Sequence, residues 1–576
     1  MASRWLKIFQ EAKRSRAEPF IDGEAYFSAA VAAIESAKTE KDYIYILGWM
    51  LDVDFKLTDG KTLLSVLEKV PKQVQIRILI WDNFDPGYTR MNDEAVEKLT
   101  DLNKPNLAIF LDRHTFSTDK AKKFVLDVAS KMISVIKGLQ SLITGDSDIK
   151  KALAKLRIQL IPFTKNPSIS AHHEKVLIVK SDGVLTAFCG GIDFNKNRVI
   201  MEIKGKEYRF PHYHDSACRL QGPAAWEVLQ RFKLRWKNNP QSKSVPLLGE
   251  KEPKPPECPI PSPYALVVGT YNSPDGKGTP DRSLKKAYLK IIENAKSYIY
   301  IEDQYLVNIE VAKALNKKIM DDNFKMVTIA IQPASETNDM LIPHRKRKDF
   351  FATLLDNIGP ARIDKVCVAE IDKSVWEKDK YHPGLHAKTL IADDEIAIVG
   401  SANVNQRSFT YDSETSVIVF DESASKRKFA STMRRMILTD YLRVKKHAPG
   451  KDDLDMFADQ GLFPAVINSS IIVVNDSSDI KKTPNKNAFI LNSALLHSKD
   501  KTVAIYKSDE NDLDDKILVY LSNLSLPGGY YLSFESGSIT LTIGGQKIMD
   551  KLLINEASIM GIFDTIFDTI IDPKAD

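Results

Sequence analysis

The chain has 576 residues, is 43% hydrophobic and 27% charged, and carries a formal net charge of +5. Those values sit close to the averages of soluble globular proteins and exclude a mainly disordered or fibrous chain. A balance of +5 over this length is too weak to argue for nucleic acid, and the four cysteines, Cys189, Cys218, Cys258 and Cys367, make neither a disulfide framework nor a CxxC metal pair.

In chain order, the opening MASRWLKIFQEAKRSRAEPF has no apolar run with a small-residue cleavage site. The expectation is a soluble protein made in the cytoplasm without a signal peptide, and no stretch is long and apolar enough to span a membrane. Ile34-Glu35-Ser36-Ala37-Lys38 ends a helix that runs into the buried strand Tyr43-Ile44-Tyr45-Ile46, and strands follow at Gln75 to Trp81 and Ala108 to Leu111. Within 118–155, Phe124, Val128, Met132, Ile136 and Leu139 share one helical stripe. It reads as a helix packed on its own lobe, with a lipid-contacting lid as the other reading. The prolines of KEPKPPECPIPSP favour a semi-rigid extended spacer. Beyond them the first pattern returns: Ile292-Glu293-Asn294-Ala295-Lys296 precedes Tyr298-Ile299-Tyr300-Ile301, with strands at Met326 to Ile331 and Val366 to Ala369. The basic run His344 to Lys348 reads equally as a headgroup contact or a solvated helix face. After Pro449-Gly450, short segments such as SIIVV, KILVYL and SITLTI alternate with turn residues, and Ile562, Phe563, Ile566, Phe567 and Ile570 fall at the spacing of a terminal helix that reads as a cap on the β domain, with a membrane-surface helix as the other reading. The expected architecture is α/β: one lobe at about 20–245, a Pro-rich linker at 246–263, a similar lobe at 264–450, and a β-rich C-terminal domain with its helix at 451–576.

The repeat leads to the chemistry. Ala171-His172-His173-Glu174-Lys175 opens VLIV and leads to Cys189-Gly190-Gly191-Ile192-Asp193; Leu385-His386-Ala387-Lys388 opens TLIA and leads to Gly400-Ser401-Ala402-Asn403. On an alternating strand, His and Lys two residues apart share one face. Two such faces brought together at a seam converge two imidazoles and two ammonium groups on a small volume. The lysines suit a phosphodiester, one imidazole suits attack on phosphorus, and the other suits protonation of the leaving oxygen. Each imidazole needs an acceptor for its second nitrogen. Glu414 is expected to orient His386, and Asp215 to orient His173, each from its own lobe. One His-x-Lys alone means little; its duplication with a Gly-rich turn is the signal. A metal site built from His172, His173, His212 and His214 is the alternative, opposed by Lys175 and Lys388, which would repel a cation.

At these residues the sequence resembles the phospholipase D superfamily, whose signature is a duplicated HxKxxxxD followed by Gly-Gly or Gly-Ser and Asn. HHEKVLIV, AFCGGIDF, HDSACRLQGPAAWEVLQRF, IEDQYLV and LHAKTLIADDEIAIVGSANVNQRSF look like the eukaryotic-type pattern, over about residues 20–450. The resemblance implies two phospholipase D-like α/β lobes with the site at a pseudo-twofold seam, and a ping-pong mechanism that requires no metal or other cofactor, calcium stimulation being compatible with it. It makes His173 the nucleophile and His386 the acid and then the base. Lys175, Lys388 and Asn403 would hold the phosphate, with Ser401 in the same turn and Asp193 and Asn195 in the matching turn of the first lobe. One departure is Lys180, which stands where the first copy's signature Asp belongs; Asp182-Gly183 reads as a hairpin turn, and Asp182 as that Asp displaced.

The expected function is hydrolysis of phosphatidylcholine- or phosphatidylethanolamine-like lipids to phosphatidic acid at a membrane surface. The alternatives are a nuclease, a phosphatidyltransferase resembling cardiolipin synthase, and a non-catalytic membrane-binding protein. Nucleic acid is not an expected partner, since a nuclease calls for a strong basic track with stacking aromatics. The pattern also resembles bacterial phospholipase effectors delivered by type VI secretion, a toxin role that implies an immunity protein and a secretion-tip protein as partners; a resident lipid enzyme is the other reading.

Overall fold

The computed structural model describes residues 3–82, 86–113, 170–203, 206–211, 213–273, 279–331, 350–358, 362, 365–371, 384–421, 429–443 and five C-terminal strands within 471–553. The helical stripe within 118–155, His212, the basic run 344–348 and the expected terminal helix lie outside the described residues.

Two sheets dominate, and they repeat one strand order. The first contains β1 (Arg16–Ile21), β2 (Tyr43–Gly48), β3 (Gln75–Trp81), β4 (Leu107–Asp112), β5 (Val176–Ser181), β6 (Val184–Gly190) and β7 (Ser216–Gln221). The second contains β8 (Tyr264–Thr270), β9 (Tyr298–Asp303), β10 (Met326–Ile331), β11 (Val366–Ile371), β12 (Thr389–Ala392), β13 (Ile396–Gly400) and β14 (Glu414–Phe420). Across the first sheet the order is β1-β7-β6-β5-β2-β3-β4, and across the second it is β8-β14-β13-β12-β9-β10-β11. In both, the central strand pairs parallel on one side and antiparallel on the other. The chain is α/β, and the matching orders are consistent with a duplication.

Alternation along the central strands explains the layering. Tyr43, Tyr45 and Leu47 enter a middle core, as do Tyr298 and Tyr300, while Ile44 and Ile46, and Ile299 and Ile301, face outer cores. Strands buried on both faces read as continuous apolar runs. The helices Pro223–Asn238 and Phe429–Arg443 supply Val228, Leu229, Phe232, Met433 and Ile437 to the middle core, between the sheets.

Two boundaries differ from the expectation. The helix Arg4–Ile8 puts Trp5 into the second sheet's outer core, and Lys13–Arg14 pairs with β8, so the chain starts on the second lobe and joins the first sheet at Arg16. Burial of Trp5 and the pairing of Arg4 with Asp393 and Glu395 hold that arm. Beyond residue 451, Ile471–Val473 pairs with β11 and extends the second sheet. The strands Ile517–Tyr520, Tyr530–Glu535, Ser538–Ile543 and Gln546–Leu553 form a separate four-stranded antiparallel sheet.

Candidate active site

Both His-x-Lys pairs sit in extended segments that lead into β5 and β12, not inside the ladders as the alternating pattern suggested. The reason is that their backbone pairs across the seam. His173 N–H donates to the Ser413 carbonyl at 3.0 Å, and His386 N–H donates to the His214 carbonyl at 2.8 Å. Tyr213–His214 pairs parallel with Gly384–Leu385, and His172 bridges Ser413 in the same sense. Each lobe thus lays the segment preceding its last strand under the other lobe's histidine.

This crossing corrects the expected orienters. His173 Nδ1 lies 3.1 Å from Glu414 Oε1, and His386 Nδ1 lies 2.7 Å from Asp215 Oδ2. Each imidazole is held by the carboxylate of the opposite lobe. Both carboxylate side chains have no exposed area, while His173 and His386 keep 13% and 9% of theirs, so solvent reaches the imidazoles and not their partners. With Nδ1 committed, Nε2 of each ring is the nitrogen left for chemistry. Gly191 is required by this packing: a Cβ there would lie 2.1 Å from Asp215 Oδ1.

The lysines are fixed alike. Lys175 Nζ donates to the His173 carbonyl at 2.7 Å, and Lys388 Nζ donates to the His386 carbonyl. Their counter-charges come from different places. In the first lobe Asp193, in the turn after β6, lies 3.8 Å from Lys175 and accepts from Met50 N–H at 2.9 Å. In the second lobe the turn carries Asn403 instead, and the charges acting on Lys388 come from Asp215 across the seam and from Asp303 at the end of β9. Asp303 accepts from the N–H groups of Tyr305, Leu306 and Val404.

Burial dominates the electrostatics. It depresses His173, joined by Lys175 and Lys388, and depresses His386, joined by Arg198, Lys388 and Lys175, so both rings sit well below the ordinary histidine range. Burial lowers Lys388 to about 7 against the pull of Asp215 and Asp303. It raises Asp215 to about 6, opposed by Arg198 and Lys388, and Glu414 to about 7, opposed by the Ser401 hydroxyl and Lys175. Burial among these cations favours neutral imidazoles; an arriving phosphodiester anion would draw a proton back onto one of them.

The remaining expected residues divide. Asn403 is buried, and its Oδ1 has no hydrogen-bond partner among the described residues. The Ser401 hydroxyl donates to Glu414 and so supports an orienter instead of touching phosphate. Asn195 caps the short helix Lys196–Arg198 through Asn197 N–H, and its amide lies against the sulfurs of Met50 and Met91. The Asp193 carboxylate, committed to Met50 and Lys175, acts as a counter-charge; it would repel a phosphate. Asp182 takes a hairpin position like that of Asp393 in the other lobe, while the capping task of the missing signature Asp falls to Asp42. Asp182 and Gly183 form the left-handed pair of a tight hairpin, with φ of 47° and 75°. In the second lobe the signature Asp393 accepts from the N–H groups of Lys296, Ser297 and Tyr298. In the first, Asp42 accepts from Lys38 and Thr39, and Lys180 pairs with Glu252.

Sequence reasoning missed three neighbours. Trp49 packs edge-on to His173 at 5.6 Å, with Lys175 over its ring at 5.3 Å. Arg198 lies 3.1 Å from Asp215 and 3.3 Å from His386 Nδ1. Asp303 stands in IEDQYLV, a segment whose resemblance was visible but whose charge had no assigned partner. Among the described residues no group of three or more His, Cys, Asp or Glu is arranged to hold a metal.

Comparison with known proteins adds the chemistry's context. A family model described as "Cardiolipin synthase, PLD-like domain" matches residues 288–437. A cardiolipin synthase of Clostridium perfringens is 25% identical over 377 residues, 62% of this chain and 72% of that protein. Phospholipase D A of Dictyostelium discoideum is 24% identical over 474 residues, 70% of this chain and 33% of that protein. Among solved structures, a phosphatidylserine synthase of Haemophilus influenzae aligns over 86% of this chain and 96% of that one, at 10% identity and a TM-score of 0.47.

Proposed function

The chain belongs to the phospholipase D superfamily, and from that premise we propose that it hydrolyses glycerophospholipids of the phosphatidylcholine or phosphatidylethanolamine type to phosphatidic acid. The observation that carries this reading is the pair of imidazoles, each bonded through Nδ1 to a buried carboxylate and each followed by a lysine. In the first step His173 Nε2 attacks phosphorus with its lone pair and the bond to the headgroup oxygen breaks. That oxygen takes the proton on His386 Nε2, leaving a phosphatidyl-histidine. In the second step a water oxygen attacks phosphorus, His386 takes the water's proton, and the P–N bond breaks to regenerate His173. Lys175, Lys388 and the Asn403 amide hold the non-bridging oxygens as charge shifts onto them. Glu414 and Asp215 stabilise whichever ring is cationic without taking the proton. Since the lysines supply the positive charge, activity is expected to persist in excess chelator.

The second reading is phosphatidyl transfer to an alcohol, favoured by the family model's description and by the cardiolipin synthases among the relatives. It uses the same intermediate with an alcohol in place of water. Purified protein incubated with mixed phospholipids, with phosphatidylglycerol alone and with single-stranded DNA separates the readings. Free choline or ethanolamine with phosphatidic acid supports hydrolysis. Cardiolipin from phosphatidylglycerol supports transfer, and cleaved DNA alone contradicts both.

A further inference from the structure

One buried charged group takes no part in the two steps above. His214 is fully buried at the seam, with Nδ1 3.1 Å from Asp22 Oδ1 of the first lobe and Nε2 3.4 Å from Glu302 Oε1 of the second. A neutral imidazole has one bare nitrogen, which would face a carboxylate lone pair; only a ring with both N–H groups suits both neighbours. The same residue touches the catalytic dyad twice through its backbone and its partner. Its carbonyl accepts from His386 N–H at 2.8 Å and Ala387 N–H at 3.1 Å. Asp22, its ion-pair partner at 3.1 Å, also accepts from Asp215 N–H at 2.9 Å. At the matching position in the other half stands Ser413, whose carbonyl accepts from His173 N–H and whose hydroxyl bonds neutral-leaning His172 at 2.9 Å. Among the described residues, His214 thus lies between two carboxylates, whereas His172 lies between the Ser413 hydroxyl and one carboxylate, Asp112 Oδ2, 3.2 Å from its Nε2.

We propose that His214, doubly protonated between Asp22 and Glu302, is a positioning residue that locks the Asp215–His386 dyad across the seam and thereby governs protonation of the departing headgroup, not attack on phosphorus. The charged groups facing its ring are Asp22, from the start of helix Gly23–Ser36, and Glu302 on β9, with the Tyr300 hydroxyl donating to Glu302 at 2.8 Å. Arg198 and Lys388 act on the adjoining Asp215. Burial alone would depress the ring, but Asp22 and Glu302 raise it to about 10, in keeping with the geometry.

This inference rests on the proposed lipid chemistry, so its test has one arm that does not. Full-length wild type and His214→Gln are compared in first-turnover release from phosphatidylcholine vesicles and from the same vesicles carrying phosphatidyl-p-nitrophenol, whose leaving group departs without a proton. Loss of acid positioning is expected to slow choline release roughly 100-fold and p-nitrophenolate release less than about fivefold. Equal losses on both substrates would mean a merely structural role and overturn the proposal. Should His214→Gln not fold, Glu302→Gln removes one carboxylate charge and is expected to show the same selectivity at roughly tenfold. If wild type acts on neither lipid, the functional reading fails, and His214 is decided separately by nitrogen NMR of histidine-labelled wild-type protein. Both ring nitrogens of one buried histidine are expected to stay protonated to about pH 9. Every histidine showing a bare nitrogen at about pH 7.5 overturns the clamp.

Discussion

The half-site around His173 and the half-site around His386 share a topology and differ in how they stabilise a buried carboxylate. Glu414 is supported by a hydroxyl, Ser401, and sits beneath a histidine packed against Trp49. Asp215 is flanked by the Arg198 guanidinium and by the His214 clamp, beneath a histidine packed 5.7 Å from Tyr213. Burial raises both carboxyls from their different starting values, Glu414 to about 7 against the Ser401 hydroxyl and Lys175, and Asp215 to about 6 against Arg198 and Lys388. The difference teaches that a duplicated motif need not make duplicated roles. The half whose carboxylate rests on a hydroxyl suits a ring that must stay unprotonated to attack, and the half whose carboxylate is ion-paired to Arg198 suits a ring that must give and retake a proton in one fixed position.

The largest effects should come from breaking each half outright. His173→Ala and His386→Ala are each expected to cut turnover of natural lipids by at least about 10⁴-fold. They should differ with a p-nitrophenyl ester: His386→Ala keeps a single-turnover burst and His173→Ala gives none. Identical loss of the burst in both would erase the distinction between the halves.

Next in size, Glu414→Gln and Asp215→Asn are each expected to lower kcat by about 10² to 10⁴-fold. Double-mutant cycles sharpen the comparison, because contacting residues couple and separated ones add. Strong coupling is expected for His173 with Glu414 and for His386 with Asp215. Coupling of His173 with Asp215 instead would restore the same-lobe pairing.

The pH dependence is smaller and has a definite sign. Glu414 and Asp215 must be ionised to accept the Nδ1 protons, so kcat/KM should rise with pH through about 6 to 7. Lys388 must be charged, so kcat/KM should fall as pH rises past about 7. The free enzyme is thus expected to show a narrow bell. Bound phosphate favours charged Lys388, which should move the alkaline limb of kcat upward relative to that of kcat/KM. A flat profile from pH 6 to about 9 would contradict the buried-lysine account.

The smallest expected effect is Asn195→Ala. Loss of its cap should cost about 1 kcal/mol in denaturant unfolding, with KM moved less than about threefold. A KM raised tenfold or more would return Asn195 to the phosphate site.

Much of this was legible in the sequence because the informative features are local. The YIYI strands after Ile-Glu-x-Ala-Lys, the two His-x-Lys segments and the Gly-rich turns announced an α/β repeat and its paired chemistry. The pairing of His173 with Glu414 was not legible, since nearness along the chain pointed to the same lobe and only the crossing of Tyr213–His214 and Ser413 under opposite histidines reverses it. Swapped counter-charges were hidden for a similar reason: Asp193 and Asp303 do one task from unmatched positions, so no alignment of the two copies reveals it. Lys180 looked like damage to a motif, yet the signature Asp is a backbone cap, a task that Asp42 performs from the other side of the loop.

The account's central claim is that the two halves act in sequence on one phosphorus, with His173 carrying the lipid. The most direct test is rapid quench of Asp215→Asn and Glu414→Gln with phosphatidyl-p-nitrophenol, followed by mass spectrometry under conditions that preserve phosphohistidine. The account predicts a phosphatidyl adduct on His173 that accumulates in Asp215→Asn, where breakdown is slowed, and stays scarce in Glu414→Gln, where formation is slowed. An adduct on His386, or one that accumulates in Glu414→Gln but not in Asp215→Asn, would contradict it.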